Sequence, residues 1–102
     1  MVQKGDIFYI LPFDGGTRRY RAAIIVGVPE GHDKVSVAYL TSRKGVEKCA
    51  THVPIESSGR CSQAILEGVT TLPMRRLGEK IGQATPEELT AIDSGLCVAF
   101  GL

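Results

Sequence analysis

The sequence predicts a small, mainly β domain, an antiparallel barrel rather than a set of βαβ units, carrying one C-terminal helix. Three observations lead there. Short runs rich in Ile, Val, Phe and Tyr are punctuated by turn residues, Gly, Pro, Asp and Ser, at roughly eight- to twelve-residue intervals. The pattern changes character only in the last segment, where a helix start signal precedes apolar residues at helical spacing. Finally, 102 residues that are 43% hydrophobic, with three Phe, three Tyr and no Trp, supply one aliphatic core and no more, so residues 1–102 read as a single domain.

The first strand is expected over residues 7–11, Ile7-Phe8-Tyr9-Ile10-Leu11, stopped by Pro12 and the turn Asp14-Gly15-Gly16. A second run, 22–28, ends among Gly27, Pro29 and Gly31. Residues 34–40 alternate Val35, Val37 and Tyr39 with Ser36 and Ala38, the period of a strand with two unlike faces. A brief fourth strand over 51–55 precedes the loop Glu56-Ser57-Ser58-Gly59. Residues 62–72, closed by Pro73, read as one long fifth strand with Gly68 as a bulge or tight bend. Thr85-Pro86-Glu87-Glu88 is a capping box: a hydroxyl at the cap, proline at the first helical position and glutamate three residues after the cap. Leu89, Ile92, Leu96 and Phe100 then form the stripe expected to lie on the barrel, and Gly101 ends the helix.

Several classes of protein are excluded. A disordered chain has fewer aliphatics and a larger net charge than the +1 found here. No apolar run approaches the roughly 20 residues that span a bilayer, and because Met1-Val2-Gln3-Lys4-Gly5-Asp6 meets charge and glycine before any long apolar stretch, a secretory leader is not expected. Cys49, Cys61 and Cys97 are odd in number and widely spaced, so they build neither a disulfide framework nor a metal knuckle; a cytoplasmic location follows as the expectation. His32 and His52 have no partners at metal-ligand spacing, so neither metal nor cofactor is expected. Cys49, beside Lys48, is a thiol whose pKa such a neighbour lowers, although an isolated exposed cysteine usually carries no chemistry.

The charge distribution is more informative than its total. Residues 17–48 carry seven bases (Arg18, Arg19, Arg21, Lys34, Arg43, Lys44, Lys48) against three acids, whereas residues 77–102 carry Lys80 against four acids. One face meets an anion and another stays solvated. Arginines at the mouth of the second strand and the hydroxyls of Thr41 and Ser42 at the end of the third suit a phosphodiester. A guanidinium grips non-bridging oxygens with a planar fork and favours the extra charge of a pentacoordinate transition state, and a hydroxyl adds a donor. Taken alone, the same residues also fit a solvated loop.

The order of segments resembles the MazF/PemK toxin family. Lys4-Gly5-Asp6-Ile7 opens the first strand, and Gly15-Gly16 is followed by Arg21-Ala22-Ala23-Ile24-Ile25-Val26. Val37-Ala38-Tyr39-Leu40-Thr41-Ser42 comes next, then His52-Val53-Pro54-Ile55. Thr71-Leu72-Pro73-Met74-Arg75-Arg76-Leu77 precedes Ile81-Gly82-Gln83-Ala84 and the helix start. The resemblance spans nearly the whole chain. It implies an SH3-like barrel, usually a homodimer, that cleaves single-stranded RNA without a metal. In that chemistry the 2′-hydroxyl attacks the adjacent phosphorus, leaving a 2′,3′-cyclic phosphate and a 5′-hydroxyl. It also implies a cognate antitoxin protein as partner.

By this resemblance Arg21 takes the place of the catalytic arginine, with Arg19 as its rival, and Thr41 that of the catalytic threonine, with Ser42 beside it. Two positions depart from the family pattern: Ala22 stands where proline is common, and Gly68 where a glutamine is. An arginine side chain holds its proton at any working pH and makes a poor general base, so Arg21 is assigned to transition-state stabilisation and to protonating the leaving 5′-oxygen. Glu67 falls where some members carry an acid; it serves either as the base or as a partner of Arg75 or Arg76. RNA would lie along Arg18, Arg19, Tyr20, Arg43, Lys44 and Lys48, with Tyr20 either stacking on a base or packing back on the barrel. An acidic antitoxin segment would compete for the same groove. Two other classes stay open: a gyrase-binding poison of the CcdB kind, whose ending Phe100-Gly101-Leu102 resembles, and a non-catalytic SH3-like interaction module.

Overall fold

The computed structural model describes residues 2–12, 21–31, 33–42 and 49–102. Strands β1 (Asp6–Ile10), β2 (Arg21–Gly27) and β3 (Lys34–Ser42) are followed by β4 (His52–Ile55) and β5 (Ser62–Ile65). A 3₁₀ turn at Leu66–Gly68 leads to β6 (Thr70–Pro73), and a second at Met74–Arg76 to β7 (Leu77–Gln83), before helix α1 (Pro86–Phe100). The antiparallel sheet runs β4-β5-β3-β2-β1-β7, with β6 also paired to β3.

β3 is the hub. Its first half pairs with β6 (Val35 opposite Leu72), its last three residues pair with β5 (Ser42 opposite Ser62), and β2 runs along its other side. The mainly β antiparallel fold with a C-terminal helix therefore holds; the barrel-like sheet is not closed, since β4 and β7 end it without pairing to each other. They nevertheless approach. A Cβ on Gly82 of β7 would fall on the carbonyl of Ser57, just past β4, so only glycine lets the two ends meet there.

Successive residues of the central strands serve two cores. Ile7, Ile24, Ala38, Leu40, Val53, Ile55, Ala64 and Leu66 pack with Ile92 of α1. Ile10, Ala23, Ile25, Val35, Val37 and Leu72 form the second cluster, edged by Phe8 and Tyr39. Both faces are buried, which is why Ala22 to Val26 reads as a continuous apolar run rather than an alternating one.

Two further expectations are revised, and one strand lies where none was expected. The run 62–72 is two strands, because the chain turns at Leu66–Gly68 and places Leu66 in the core beneath α1. β7 carries too many polar residues and glycines to have been recognised. The helical stripe closes on Ala99 rather than Phe100: Ala99 packs against the core while Phe100 is 53% exposed, and Gly95 is buried, its Cα close enough to Leu66 and the Ala50 carbonyl to exclude a side chain.

The helix start is as expected and does more than cap. Thr85 Oγ1 accepts from Glu88 N at 3.1 Å, and Glu88 Oε1 accepts from Thr85 N at 2.9 Å. The same carboxylate also accepts from Glu56 N at 2.8 Å and from the Ser57 hydroxyl, tying the helix to the β4–β5 loop. Gly101, at φ 67°, closes the other end. Removing the cap in Thr85→Ala is expected to cost about 1 kcal/mol in a denaturant titration.

Burial alone would raise the Glu88 carboxyl, but the bonds from Ser57, Thr85 and Glu56 outweigh it and hold it below its ordinary 4.5. A carboxyl lowered in the folded state contributes stability above its unfolded pKa and loses it as pH falls through the folded value. Acid melting of the wild type should therefore show a component below about pH 4.5 that Glu88→Gln lacks.

Candidate active-site groove

Arg21 begins β2 and Thr41 and Ser42 end β3, so their positions follow from the β2–β3 ladder. Ala23 pairs with Tyr39; continuing that antiparallel register by two residues sets Arg21 across from Thr41 on one face of the sheet. Thr41 and Ser42 lie within β3 as it pairs with β5, rather than beyond the end of a strand stopping at Leu40.

These residues line one groove of about 500 Å³. β1 contributes Tyr9, β2 Arg21 and Ala22, β3 Leu40, Thr41 and Ser42, and β7 Ile81. The opposite wall is Ser58, Arg60, Cys61 and Ser62, from the β4–β5 loop and the start of β5. That wall is braced: Ser62 Oγ donates to the Ile55 carbonyl at 2.9 Å and stands 3.4 Å from Ser58 Oγ. Behind Thr41, its β5 partner Gln63 is 2% exposed, with Oε1 unsatisfied among the described residues.

Two guanidiniums and five hydroxyls line the groove, and among the described lining residues there is no carboxylate or imidazole. Such a lining attracts an anion and supplies hydrogen-bond donors to it. Arg21 is exposed, and its guanidinium carbon lies 4.1 Å from the centroid of the Tyr39 ring.

Glu67 is not brought to this lining. It sits in the Leu66–Gly68 turn, five residues beyond Ser62, roughly 15 Å along extended chain. Its carboxylate accepts from Thr51 Oγ1 and lies 2.5 Å from His52 Nε2. The Thr51 bond, then the His52 bond, lower its pKa, which makes it a weaker base. This geometry lends the base assignment no support, and Glu67 contacts His52 rather than Arg75 or Arg76, Arg76 instead donating to the Leu11 carbonyl at 3.1 and 2.9 Å. Cys49, exposed, lies 3.3 Å from Thr51 Oγ1, and that bond lowers its thiol.

Arg18, Arg19, Tyr20, Arg43, Lys44 and Lys48 lie outside the described residues, as do Gly15, Gly16 and His32. Sequence reasoning missed Tyr9, Ser58, Arg60, Cys61 and Ser62. The serine-rich loop at 56–59 was visible, but only the pairing of β5 with β3 brings it to Thr41. Among the described residues no group of His, Cys, Asp and Glu is arranged to hold a metal ion, and no helix is long and apolar enough to cross a membrane.

Comparison with known proteins adds family and fold. Residues 3–100 match the model of the PemK-like, MazF-like toxin of type II toxin-antitoxin systems. An endoribonuclease in complex with its cognate antitoxin from a mycobacterial species superposes with a TM-score of 0.82 at 20% identity, covering 100% of this chain and 97% of that one. The Mycobacterium tuberculosis toxin MazF-mt6 gives 0.75 at 24% identity over 93% and 96% of the two chains. A MazE-MazF structure from Deinococcus radiodurans gives 0.78 at 19% identity over 99% and 96%. At these identities the superpositions establish a shared fold.

Proposed function

This chain belongs to the PemK-like, MazF-like toxin family of type II toxin–antitoxin systems, and from that membership we propose that it is an endoribonuclease toxin that cuts single-stranded RNA in the groove between β2, β3 and the β4–β5 loop. The observation that carries the reading is the convergence of Arg21 and Thr41, from adjacent strands, on one groove whose described lining bears no acid.

The reaction is transfer within the substrate. The 2′-hydroxyl oxygen gives its proton to solvent and bonds to the adjacent phosphorus as the bond to the 5′-oxygen breaks; that oxygen takes a proton from Arg21, which solvent restores, giving a 2′,3′-cyclic phosphate and a 5′-hydroxyl with no net proton consumed. The nucleophile belongs to the RNA, so no water need be activated by a metal. What the protein supplies is orientation and stabilisation of the charge gathering on the non-bridging oxygens. Arg21 presents a planar fork to those oxygens, and the Thr41 hydroxyl donates a further hydrogen bond, with Ser42 beside it. Arg60, on the opposite wall, holds a flanking phosphate. Arg18, Arg19 and Tyr20 immediately precede Arg21 in the chain, and Arg43, Lys44 and Lys48 follow Ser42, so they extend the basic track along the RNA.

The partner is a cognate antitoxin. It presents an acidic segment to the same groove and competes with RNA there. The toxin works as a homodimer.

Incubation with a long single-stranded RNA in EDTA tests the reading. Discrete cuts with 5′-hydroxyl ends are expected, and none where the cleaved nucleotide lacks its 2′-hydroxyl. A gyrase-binding poison or a non-catalytic module leaves the RNA intact. Arg60→Ala should weaken RNA binding at all sequences and lower the slope of log affinity against log salt by about 0.7, the value for one phosphate contact on a single strand.

A further inference from the structure

We propose that Tyr39 is the positioning residue for Arg21: its ring holds the guanidinium at the groove, oriented to grip a phosphate, by contact with one face of the cation. The inference rests on the reading of the groove given above. Tyr39 is half-buried against the second core, between Val37 and the ladder partner Ala23, so the surrounding strands fix its ring. Arg21 is exposed at the first position of its strand, and among the described residues no burial restrains its long, many-rotor side chain. The 4.1 Å separation between Arg21 Cζ and the Tyr39 centroid lies well within the range of a cation–π contact.

The geometry of that contact suits the work. Stacking uses the flat face of the guanidinium, whereas phosphate oxygens are met by N–H groups at its edge. A carboxylate partner would have oriented Arg21 equally well, but it would have occupied those donors and cancelled the charge. Tyr39 restricts the side chain in advance of binding and leaves both charge and donors for the substrate. Because the contact is made by the ring, the hydroxyl is dispensable.

The test compares Tyr39→Phe with Tyr39→Leu, which keeps apolar bulk but loses the π face. Steady-state RNA cleavage gives kcat and KM separately. The NMR signal of Arg21 Nε–Hε, identified by its absence in Arg21→Lys, reports the ring directly. Tyr39→Leu is expected to lower kcat about tenfold with KM changed less than about threefold, and to move the Arg21 signal from its ring-shifted position to that of a free arginine. Tyr39→Phe should restore both. A Leu variant with the wild-type kcat and an unmoved Arg21 signal overturns the proposal, as does a Phe variant as impaired as Leu. If the wild type does not cut RNA at all, the ribonuclease reading falls by itself. The Arg21 signal in the two variants then still decides whether the ring holds the guanidinium.

Discussion

Arg21→Ala is expected to lower kcat/KM for RNA cleavage on the order of 10³-fold while leaving the fold intact. The residue is exposed and contributes to neither core, so its loss removes charge from the groove without opening a cavity. The size follows from the step concerned. Negative charge gathers on two phosphoryl oxygens as the 2′-oxygen attacks, and a preorganised donor aimed at such charge supplies about 3–4 kcal/mol. Arg21→Lys keeps one positive charge but loses the planar fork, and should recover only part of the rate. Thr41→Ala removes a neutral donor and should cost less, about 10²-fold. Single-turnover assays with saturating enzyme separate these losses from weakened RNA binding. If Arg19→Ala is the silencing change and Arg21→Ala cleaves normally, the assignment of the groove arginine is wrong.

Gly82→Ala is expected to be the most destabilising small substitution, by about 3 kcal/mol, lowering Tm by roughly 15 °C in a domain of this size. The added Cβ meets the backbone carbonyl of Ser57 rather than a movable side chain, so relief requires shifting either β7 or the β4–β5 loop. Both border the groove, through Ile81 on one side and Ser58 on the other, so cleavage should weaken along with stability. Gly68→Ala provides the contrast. Its Cβ would stand 3.9 Å from Ile65 Cγ2, an ordinary contact, and the loss of unfolded-state freedom should leave stability unchanged or about 0.5 kcal/mol higher. Urea titrations of the two variants distinguish a steric clash from a general glycine effect.

The elements legible in the sequence are those whose causes are local. The Thr85–Glu88 box sets the helix start because its bonds join residues three apart. β1 and β2 were recognisable because their apolar runs are buried on both faces. β7 was not. An edge strand with no fully buried residue, three charged or amide side chains and two glycines has no apolar run to display. The 62–72 run failed for the opposite reason: continuous hydrophobicity conceals a turn when the turn residue, Leu66, is itself core. Phe100 satisfied the helical period, yet the face that meets the core runs through Ile92, Leu96 and Ala99, which leaves Phe100 turned to solvent.

The candidate site divides along the same line. Arg21, Thr41 and Ser42 emerged from the order of family-like segments and from the chemistry of guanidinium and hydroxyl groups near strand ends. Glu67 occupies a place that the segment order assigns to an acid, but the 3₁₀ turn that carries it points the carboxylate to His52 and Thr51.

By itself, then, the sequence determined the helix, the main strands and a β-rich domain with cations and hydroxyls at the strand ends, because propensity, capping and hydrophobic period act between near neighbours. Tertiary structure alone decided that β5 lies beside β3, which faces Ser62 and Arg60 with Thr41, and that a ring on β3 underlies the arginine of β2. Those juxtapositions join residues some twenty positions apart. They are set by the one register that buries both cores at once, a condition no local window contains.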